Sequence, residues 1–232
     1  MYFKFTDYAP FVFQRIRMRR NISEEEYMKS LGPEQILNCF WTGNFESLYE
    51  LCSSGQSGAL FYFSKDKQYM LKTIPKREFQ SLRTILANYL SHVNKYPDSM
   101  ITTFFGMHKI EWGTEGTCSK KETRYLIVMG NLFKDWIVGN RFDMKGSTQG
   151  RTYLKGNRKY DDLTTRNRQT AMKDNDFRKH VGKLEFVEQF SLERSLLEKL
   201  FVDANFLAAN NLIDYSLIIG EIEVENINSL KQ

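Results

Sequence analysis

The stretch Ala59-Leu60-Phe61-Tyr62-Phe63, followed by the polar turn Lys65-Asp66-Lys67 and by Tyr69-Met70-Leu71-Lys72-Thr73-Ile74, decides the fold of the first half of the chain. Apolar runs rich in aromatic and branched residues on either side of a short polar turn predict a β-hairpin. Residues Ser47 to Leu51 form a third run, joined to the hairpin by the small-residue loop Ser53-Ser54-Gly55-Gln56-Ser57-Gly58. We therefore predict an antiparallel meander of three strands.

Apolar periodicity extends this sheet and adds helices to it. Residues 77–92 carry apolar side chains three and four positions apart, which predicts an amphipathic helix lying against the sheet. Residues 101–112 and 123–129 predict two further strands. The first 50 residues predict helices, and Ser23 with Glu26 fits a capping box that opens one of them.

The second half of the chain predicts a helix over residues 183–210 and a turn into a buried strand over residues 213–220. Together with the sheet, these elements indicate the α/β (α+β) class. We predict three parts: an N-terminal helical segment, a sheet part and a further mixed part, at residues 1–46, 47–133 and 134–232.

Composition indicates a globular chain. Its 232 residues are 41% hydrophobic and 14% aromatic, which suffices for a packed core. No run approaches the ~18 apolar residues of a membrane span, and the first residues lack the apolar core of a signal peptide. The three cysteines form no CxxC pair and the three histidines show no metal spacing. We expect a cytoplasmic protein with reduced cysteines.

Positive charge is concentrated in residues 151–180, which carry nine Lys and Arg against four Asp. We interpret the segment as a long, exposed basic loop, since it is poor in aliphatic residues. A local positive field indicates a polyanionic partner, either an anionic membrane or a nucleic acid, more strongly than the same charge spread evenly. Taken alone, a solvated loop is the more common explanation of such a segment. Few aromatic residues and no recognition-helix pattern accompany it, so we predict no nucleic-acid partner.

The run Arg141-Phe142-Asp143-Met144-Lys145-Gly146-Ser147-Thr148-Gln149-Gly150-Arg151 precedes this basic segment. Its glycines allow the backbone to approach a ligand, while Lys145 and Arg151 could share an anionic group. A polar turn explains the same residues equally well when they are considered alone.

Three other features are typical of nucleotide-dependent chemistry. The loop residues Gly55, Ser57 and Gly58 could lie on phosphates, with Lys72 in the adjacent hairpin reaching the same phosphates. Residues Asn131-Leu132-Phe133 end a strand, as in a kinase hinge that binds adenine, although a plain edge strand fits too. Asp214 could orient an attacking hydroxyl, or simply form a turn.

In this order along the chain, the motifs resemble the phosphatidylinositol phosphate kinase family from about residue 8 to residue 220. The resemblance is carried by seven runs: Leu31-Gly32-Pro33-Glu34-Gln35, the loop Gly55 to Gly58 with Phe61-Tyr62-Phe63, Leu71-Lys72-Thr73-Ile74-Pro75-Lys76, Phe105-Gly106-Met107-His108, Val128-Met129-Gly130-Asn131-Leu132-Phe133, Phe142-Asp143-Met144-Lys145-Gly146-Ser147-Thr148 and Ile213-Asp214-Tyr215-Ser216-Leu217. It implies a protein-kinase-like, two-lobed fold with an antiparallel N-lobe sheet.

The resemblance also implies residue roles. Gly55, Ser57, Gly58 and Lys72 would contact the phosphates of ATP, and Asn131, Leu132 and Phe133 would hold its adenine. Asp214 would act on the hydroxyl that is phosphorylated. The reaction would use ATP together with Mg²⁺. Lys145 and Arg151 would contact the lipid headgroup phosphate or nearby anions. A basic face would lie on the membrane, giving a peripheral protein, and the N-terminal part would form a homodimer.

Two departures from the family pattern bear on activity. Gln56 and Ala59 stand where members often carry lysine and serine, which implies a weaker hold on phosphate. The family's metal-binding aspartate and activation loop would follow residue 220, and neither is found in the sequence. We therefore expect either an incomplete lipid kinase or a non-catalytic phosphoinositide-binding or dimerisation module. The choice between the 4- and 5-hydroxyl stays open, with a lean towards 5-kinases.

Overall fold

A computed structural model describes residues 2–36, 48–51, 60–113, 121–153, 171–184 and 190–222, with the side chains of residues 48–51 and 190–192 left aside. The chain divides into two compact units, Met1–Lys134 and Asp135–Gln232. Among the predicted elements, the loop Ser53 to Gly58 and residues 154–170 of the basic segment lie outside the described residues.

The first unit contains a six-stranded antiparallel sheet with helices. Its elements are β1 (Tyr2–Asp7), α1 (Pro10–Arg19), α2 (Glu24–Leu31), β2 (Leu48–Leu51), β3 (Phe61–Ser64), β4 (Tyr69–Ile74), α3 (Lys76–Lys95), β5 (Phe104–Gly113) and β6 (Lys121–Gly130). The strand order is β1-β5-β6-β4-β3-β2. The predicted meander is β2, β3 and β4, and the predicted amphipathic helix is α3.

The prediction of helices throughout the N-terminal segment was wrong for residues 2–7. These residues form β1, which pairs antiparallel with β5 at the edge of the sheet. The alternation Tyr2-Phe3-Lys4-Phe5-Thr6 suits a strand, and the pairing with β5 is a long-range contact that a local pattern does not reveal. The predicted capping box at Ser23 and Glu26 is present at the start of α2.

One face of the sheet is covered by α1 and α2, and α3 packs on the other face. The ring of Tyr27 in α2 lies 5.3 Å from that of Tyr69 in β4, and Leu71 on the same face is fully buried. Arg17 of α1 donates to the backbone oxygen of Phe105 in β5 at 2.7 Å. The apolar core of this unit therefore lies between its sheet and its helices.

The described part of the second unit contains a three-stranded sheet and two helices. Its elements are β7 (Asn140–Met144), β8 (Met172–Lys173), α4 (Asp174–His180), α5 (Phe190–Ala209) and β9 (Leu217–Glu221), with strand order β8-β7-β9. A small apolar core forms around Phe142, Met172 and Phe177. Residues 183 and 184 are not helical, so the described part of the predicted helix begins at Phe190.

Two predictions in this unit were wrong. Residues 172–180 are not an exposed loop, since Met172 and Phe177 are buried in β8 and α4. The few apolar residues of this stretch are part of the core. The prediction overlooked them because it rested on the net charge of the whole segment. The strand after Asp214 is also not buried, because its pattern is half exposed and Ile218 is 39% exposed.

Candidate functional site

Lys72 lies on the sheet face opposite α1 and α2. On its own face, the ring of Phe79 in α3 lies 4.9 Å from that of Tyr125 in β6. Strand residues alternate between faces, so Lys72 points away from the buried Leu71. It is half-buried, and its Nζ lies 5.5 Å from the ring centroid of Phe61. In the strand register Lys72 is opposite Phe61, and Phe61 is opposite Leu51. The predicted phosphate loop therefore starts and ends on the strand ends beside Lys72, although Gly55, Ser57 and Gly58 themselves lie outside the described residues.

Asn131, Leu132 and Phe133 follow β6 and are held against the β3–β4 turn. The side-chain Nδ2 of Asn131 donates to the Lys67 backbone oxygen at 2.8 Å, and the backbone N–H of Phe133 donates to Asn131 Oδ1 at 3.1 Å. The register pairs Gly130 with Tyr69, three residues before Lys72. At ~3.3 Å per residue, the predicted adenine and phosphate contacts are about 10 Å apart along the strand.

In the second unit the structure brings Lys145 and Asp214 together. Lys145 follows β7, Asp214 precedes β9, and these strands are paired. Lys145 Nζ forms an ion pair with Asp214 Oδ1 across 69 residues of chain. The hydrogen bond and charge of Lys145 lower the pKa of Asp214. The carboxylate therefore stays ionised at neutral pH and acts as a hydrogen-bond acceptor.

The backbone around this pair has conformations that L-residues rarely adopt. Asp214 has φ +61°, and Gly146 has φ +71° with nothing within 4 Å of where a Cβ would stand. Strained non-glycine residues cluster at functional sites, because the surrounding structure must hold them there. A cavity of about 660 Å³ opens here, lined in part by Lys145, Ser147, Asn211 and Asp214. Its size suits a small-molecule ligand.

Arg151 is engaged by two carboxylates of the second unit. Its Nε donates to Asp174 Oδ2 at 2.7 Å, and its Nη2 donates to Asp143 Oδ2 at 3.1 Å and to the Asp143 backbone oxygen. The Arg151 side chain is 12% exposed. Arg151 thus closes the loop from Lys145 to Arg151 by an internal network, and its predicted contact with substrate phosphate stays a prediction.

The sequence reasoning missed Asp174, Asn175 and Asp176 at the start of α4. Asp174 accepts hydrogen bonds from the backbone N–H groups of Lys145 and Gly146, at 3.0 and 2.8 Å. Burial would raise the pKa of Asp174, but the hydrogen bonds from Arg151 and from these amides outweigh burial and lower it. The available signal was three consecutive hydrogen-bond acceptors inside an otherwise basic segment.

The next two residues hold the far end of the same loop. Asn175 donates to the backbone oxygen of Thr148 at 2.8 Å, and Asp176 accepts from the backbone N–H of Tyr153 at 2.7 Å. Three successive side chains therefore fix residues 145–153 against α4.

Metal ligands are not assembled within the part of the chain that the structure describes. Among those residues no group of three or more His, Cys, Asp or Glu side chains could hold an ion. The described helices likewise include none long and apolar enough to cross a bilayer.

Comparison with known proteins identifies the family of the chain. A family model described as Phosphatidylinositol-4-phosphate 5-Kinase matches residues 42–232. A phosphatidylinositol 4-phosphate 5-kinase of Plasmodium falciparum is 38% identical over 217 residues, covering 93% of this chain and 12% of that protein. Phosphatidylinositol 4-phosphate 5-kinase 3 of Arabidopsis thaliana is 38% identical over 219 residues, or 94% of this chain and 27% of its own length. A probable phosphatidylinositol phosphate kinase of Dictyostelium discoideum is 36% identical, with 94% and 28% covered.

An antiparallel sheet with helices, joined to a second α/β unit, is of the kinase-like, two-lobed class predicted from the sequence, and that prediction is confirmed. The chain belongs to the phosphatidylinositol-4-phosphate 5-kinase family, as the predicted resemblance to lipid kinases implied. It spans between 12% and 28% of the length of the relatives described above.

Proposed function

We propose that the chain carries ATP- and headgroup-binding parts of a lipid kinase that transfers the γ-phosphoryl group of ATP to an inositol hydroxyl of a membrane phosphoinositide. The names of the relatives favour phosphatidylinositol 4-phosphate as substrate and its 5-hydroxyl as acceptor. The observation that carries the proposal is the ion pair between Lys145 and Asp214, which joins two predicted site residues beside a cavity.

Asp214 and Lys145 would have different roles at the acceptor hydroxyl. The ionised Asp214 accepts the hydrogen bond of the attacking hydroxyl and orients its oxygen, since a carboxylate with a lowered pKa orients better than it removes a proton. Lys145, a flexible point charge, leaves Asp214 for phosphate oxygens when substrate enters. Phosphoryl transfer needs mainly such positioning and charge stabilisation.

The first unit would hold the nucleotide. Lys72 contacts the ATP phosphates, Gly55 to Gly58 cover them, and Asn131 to Phe133 contact the adenine. Phe61, Phe63 and Met70 are half-buried on the Lys72 side of the sheet and provide an apolar surface for the base. ATP, when bound, supplies the phosphoryl group, and Mg²⁺ would neutralise its charge.

The membrane-facing surface would include the C-terminal end of α4. Arg178, Lys179 and Lys183 are exposed there, next to the 45% exposed Leu184. Cations close to an anionic leaflet contribute about 1 kcal/mol each. We infer a peripheral protein at cytoplasmic membrane surfaces. Replacing Arg178 and Lys179 by Gln should weaken binding to phosphatidylserine vesicles about 10-fold or more, and unchanged binding would reject this surface.

A homodimer through the N-terminal part is supported by an apolar exposed surface on α1. Phe11 is 78% and Met18 66% exposed, and they lie about two helical turns apart on one side of the helix. Sedimentation of the wild-type chain and of Phe11→Glu tests this contact. A dimer that persists in the variant would place the interface elsewhere.

A non-catalytic phosphoinositide-binding module is the second candidate, because Lys145 lines a cavity that can receive a headgroup phosphate whether or not phosphate is transferred. It shares the headgroup chemistry of Lys145 but transfers no phosphate. The distinction therefore depends on turnover and not on lipid binding.

One assay separates the two functions. The chain is incubated with radiolabelled ATP, Mg²⁺ and vesicles containing phosphatidylinositol 4-phosphate, and both vesicle binding and lipid labelling are measured. The kinase proposal expects labelling that Lys72→Met and Asp214→Asn abolish without loss of vesicle binding. Lys67→Met, on the exposed β3–β4 turn, is the control for Lys72. Binding without labelling in the wild type would favour the module, and neither binding nor labelling would reject both.

A further inference from the structure

Asp174 belongs to none of the sequence motifs, yet its carboxylate contacts three groups of the loop that carries Lys145. It is 4% exposed. Its Oδ1 accepts the backbone N–H groups of Lys145 and Gly146, and its Oδ2 accepts Arg151 Nε. Oδ2 also accepts the Lys145 N–H at 3.3 Å, so one carboxylate holds both the turn at Lys145 and the arginine that closes the loop.

We infer that Asp174 is a positioning residue, which fixes the backbone of Lys145 so that its ammonium reaches Asp214. Lys145 is the first residue after β7, and the next residue, Gly146, has the positive φ of +71°. Such a turn leaves backbone N–H groups without the strand partners they would have in a ladder. Asp174 supplies the acceptor for two of them, and charge-assisted hydrogen bonds of this kind are about twice as strong as neutral ones.

The position of α4 makes this contact specific. β8 pairs parallel with β7, with Asp143 opposite Lys173, so Asp174 stands beside Met144, the last residue of β7. From that position its carboxylate reaches the backbone N–H groups of the next two residues, Lys145 and Gly146. Burial of Phe177 in the core of the unit fixes α4 in turn. The sheet register and the core together hold the carboxylate in place.

Asp176 provides a matched comparison. It is also 4% exposed and also accepts backbone N–H groups, but from Tyr153 and Lys173. Loss of a buried carboxylate destabilises the unit in either case, whereas only loss of Asp174 releases the turn at Lys145. The inference rests on the proposed function for its kinetic consequence alone, because the contact with Asp214 is a property of the chain itself.

The test compares Asp174→Ala, Asp174→Asn and Asp176→Ala with the wild-type chain by NMR. In Asp174→Ala we expect faster amide exchange at Lys145 and Gly146, by about 10-fold or more. We also expect the pKa of the Asp214 carboxyl to rise towards its ordinary value, because Lys145 no longer holds its position. Asp176→Ala should change neither quantity, although it loses stability.

Asp174→Asn covers the case in which the alanine variant does not fold. It keeps an oxygen for the two amides and places an NH₂ group against Arg151, so it should preserve slow exchange at Lys145 better than alanine does. An Asp214 pKa that is the same in the wild type and in folded Asp174→Ala would overturn the inference. Exchange at Lys145 and Gly146 as slow in folded Asp174→Asn as in the wild type would also overturn it, because a neutral oxygen accepts less strongly. Equal effects of Asp174→Ala and Asp176→Ala on amide exchange would overturn it as well.

Kinetics give a separate readout. Misplacing a reacting group by about 1 Å costs on the order of 100-fold. We expect kcat for phosphoinositide phosphorylation to fall about 10- to 100-fold in Asp174→Ala, with KM for ATP unchanged. A fall in kcat no larger than in Asp176→Ala would count against positioning. If the wild-type chain transfers no phosphate, the proposed kinase activity fails, while the NMR comparison still decides the role of Asp174.

Discussion

Replacing Arg151 by Ala tests whether this residue stabilises the second unit or serves only to bind substrate. Arg151 donates to two carboxylates, and the side chains are 12% exposed for Arg151, 26% for Asp143 and 5% for Asp174. Removing one partner of a buried ion pair costs about 3–5 kcal/mol, since the other charge is left without compensation. Asp174 keeps its two amide donors, which offsets part of this cost. We expect a loss of about 3 kcal/mol in the absence of any lipid.

The measurement must report on the second unit alone, because the chain has two compact units and need not unfold in a single step. Of the three tryptophans, Trp136 lies in that unit. Incorporation of fluorotryptophan and ¹⁹F NMR during urea titration follow its signal separately. The m-value indicates whether the change is one of stability or of compactness.

Two variants make the result interpretable. Arg194→Ala removes an 84% exposed arginine that pairs with Glu198 on α5, and it should change the unfolding free energy by about 0.5 kcal/mol or less. Arg151→Lys keeps the charge but not the two-pronged geometry, so it should lie between alanine and the wild type. An Arg151→Ala stability within about 0.5 kcal/mol of the wild type would refute the internal role, and a raised KM for lipid in that stable variant would support a phosphate contact.

Three further outcomes are expected. Phe142→Ala should destabilise the second unit by about 3–5 kcal/mol in urea, because it empties the centre of a small core, whereas Phe201→Ala on α5, at 69% exposure, should change it by about 0.5 kcal/mol or less. Ser23→Ala should lower the stability of the first unit by about 1 kcal/mol in thermal unfolding, since the capping box of α2 is lost. Hydrogen bonds from Lys109 and Lys121 lower the pKa of Glu111 to about 2, so its contribution to stability is present above its ordinary pKa of 4.5 and disappears as the pH falls towards about 2. Carboxyl NMR titration should show this midpoint, and a midpoint near 4.5 would contradict the pairing.

The sheet of the first unit was predictable because its signals are local. The runs at Phe61 and Tyr69 alternate around a polar turn, and the helix over residues 76–95 repeats its apolar positions with the helical period. β1 was missed because its partner β5 begins about a hundred residues later. A strand that depends on a distant partner leaves only a weak pattern in its own sequence.

The candidate site was predictable to a different degree. Lys145 and Asp214 were chosen one at a time, each with an ordinary turn as the alternative, and their contact became visible only through the pairing of β7 with β9. Arg151 was chosen for its charge, and charge alone does not show whether an arginine faces a ligand or two aspartates of its own chain.

The basic segment shows why net charge misleads at the level of single residues. Its surplus of cations suggested an exposed loop, yet Met172, Asp174, Asp176 and Phe177 are buried within it, and its first residue, Arg151, is held by two carboxylates. The two aspartates are buried because backbone N–H groups and Arg151 satisfy them, and burial of a charge is tolerated only under that condition. A segment can therefore present cations to a polyanion on its exposed side while its few acidic residues fix the loop that carries Lys145. Neutralising Arg178 and Lys179 should therefore weaken vesicle binding and leave the pKa of Asp214 unchanged. Asp174→Ala should instead raise the pKa of Asp214 and leave vesicle binding unchanged.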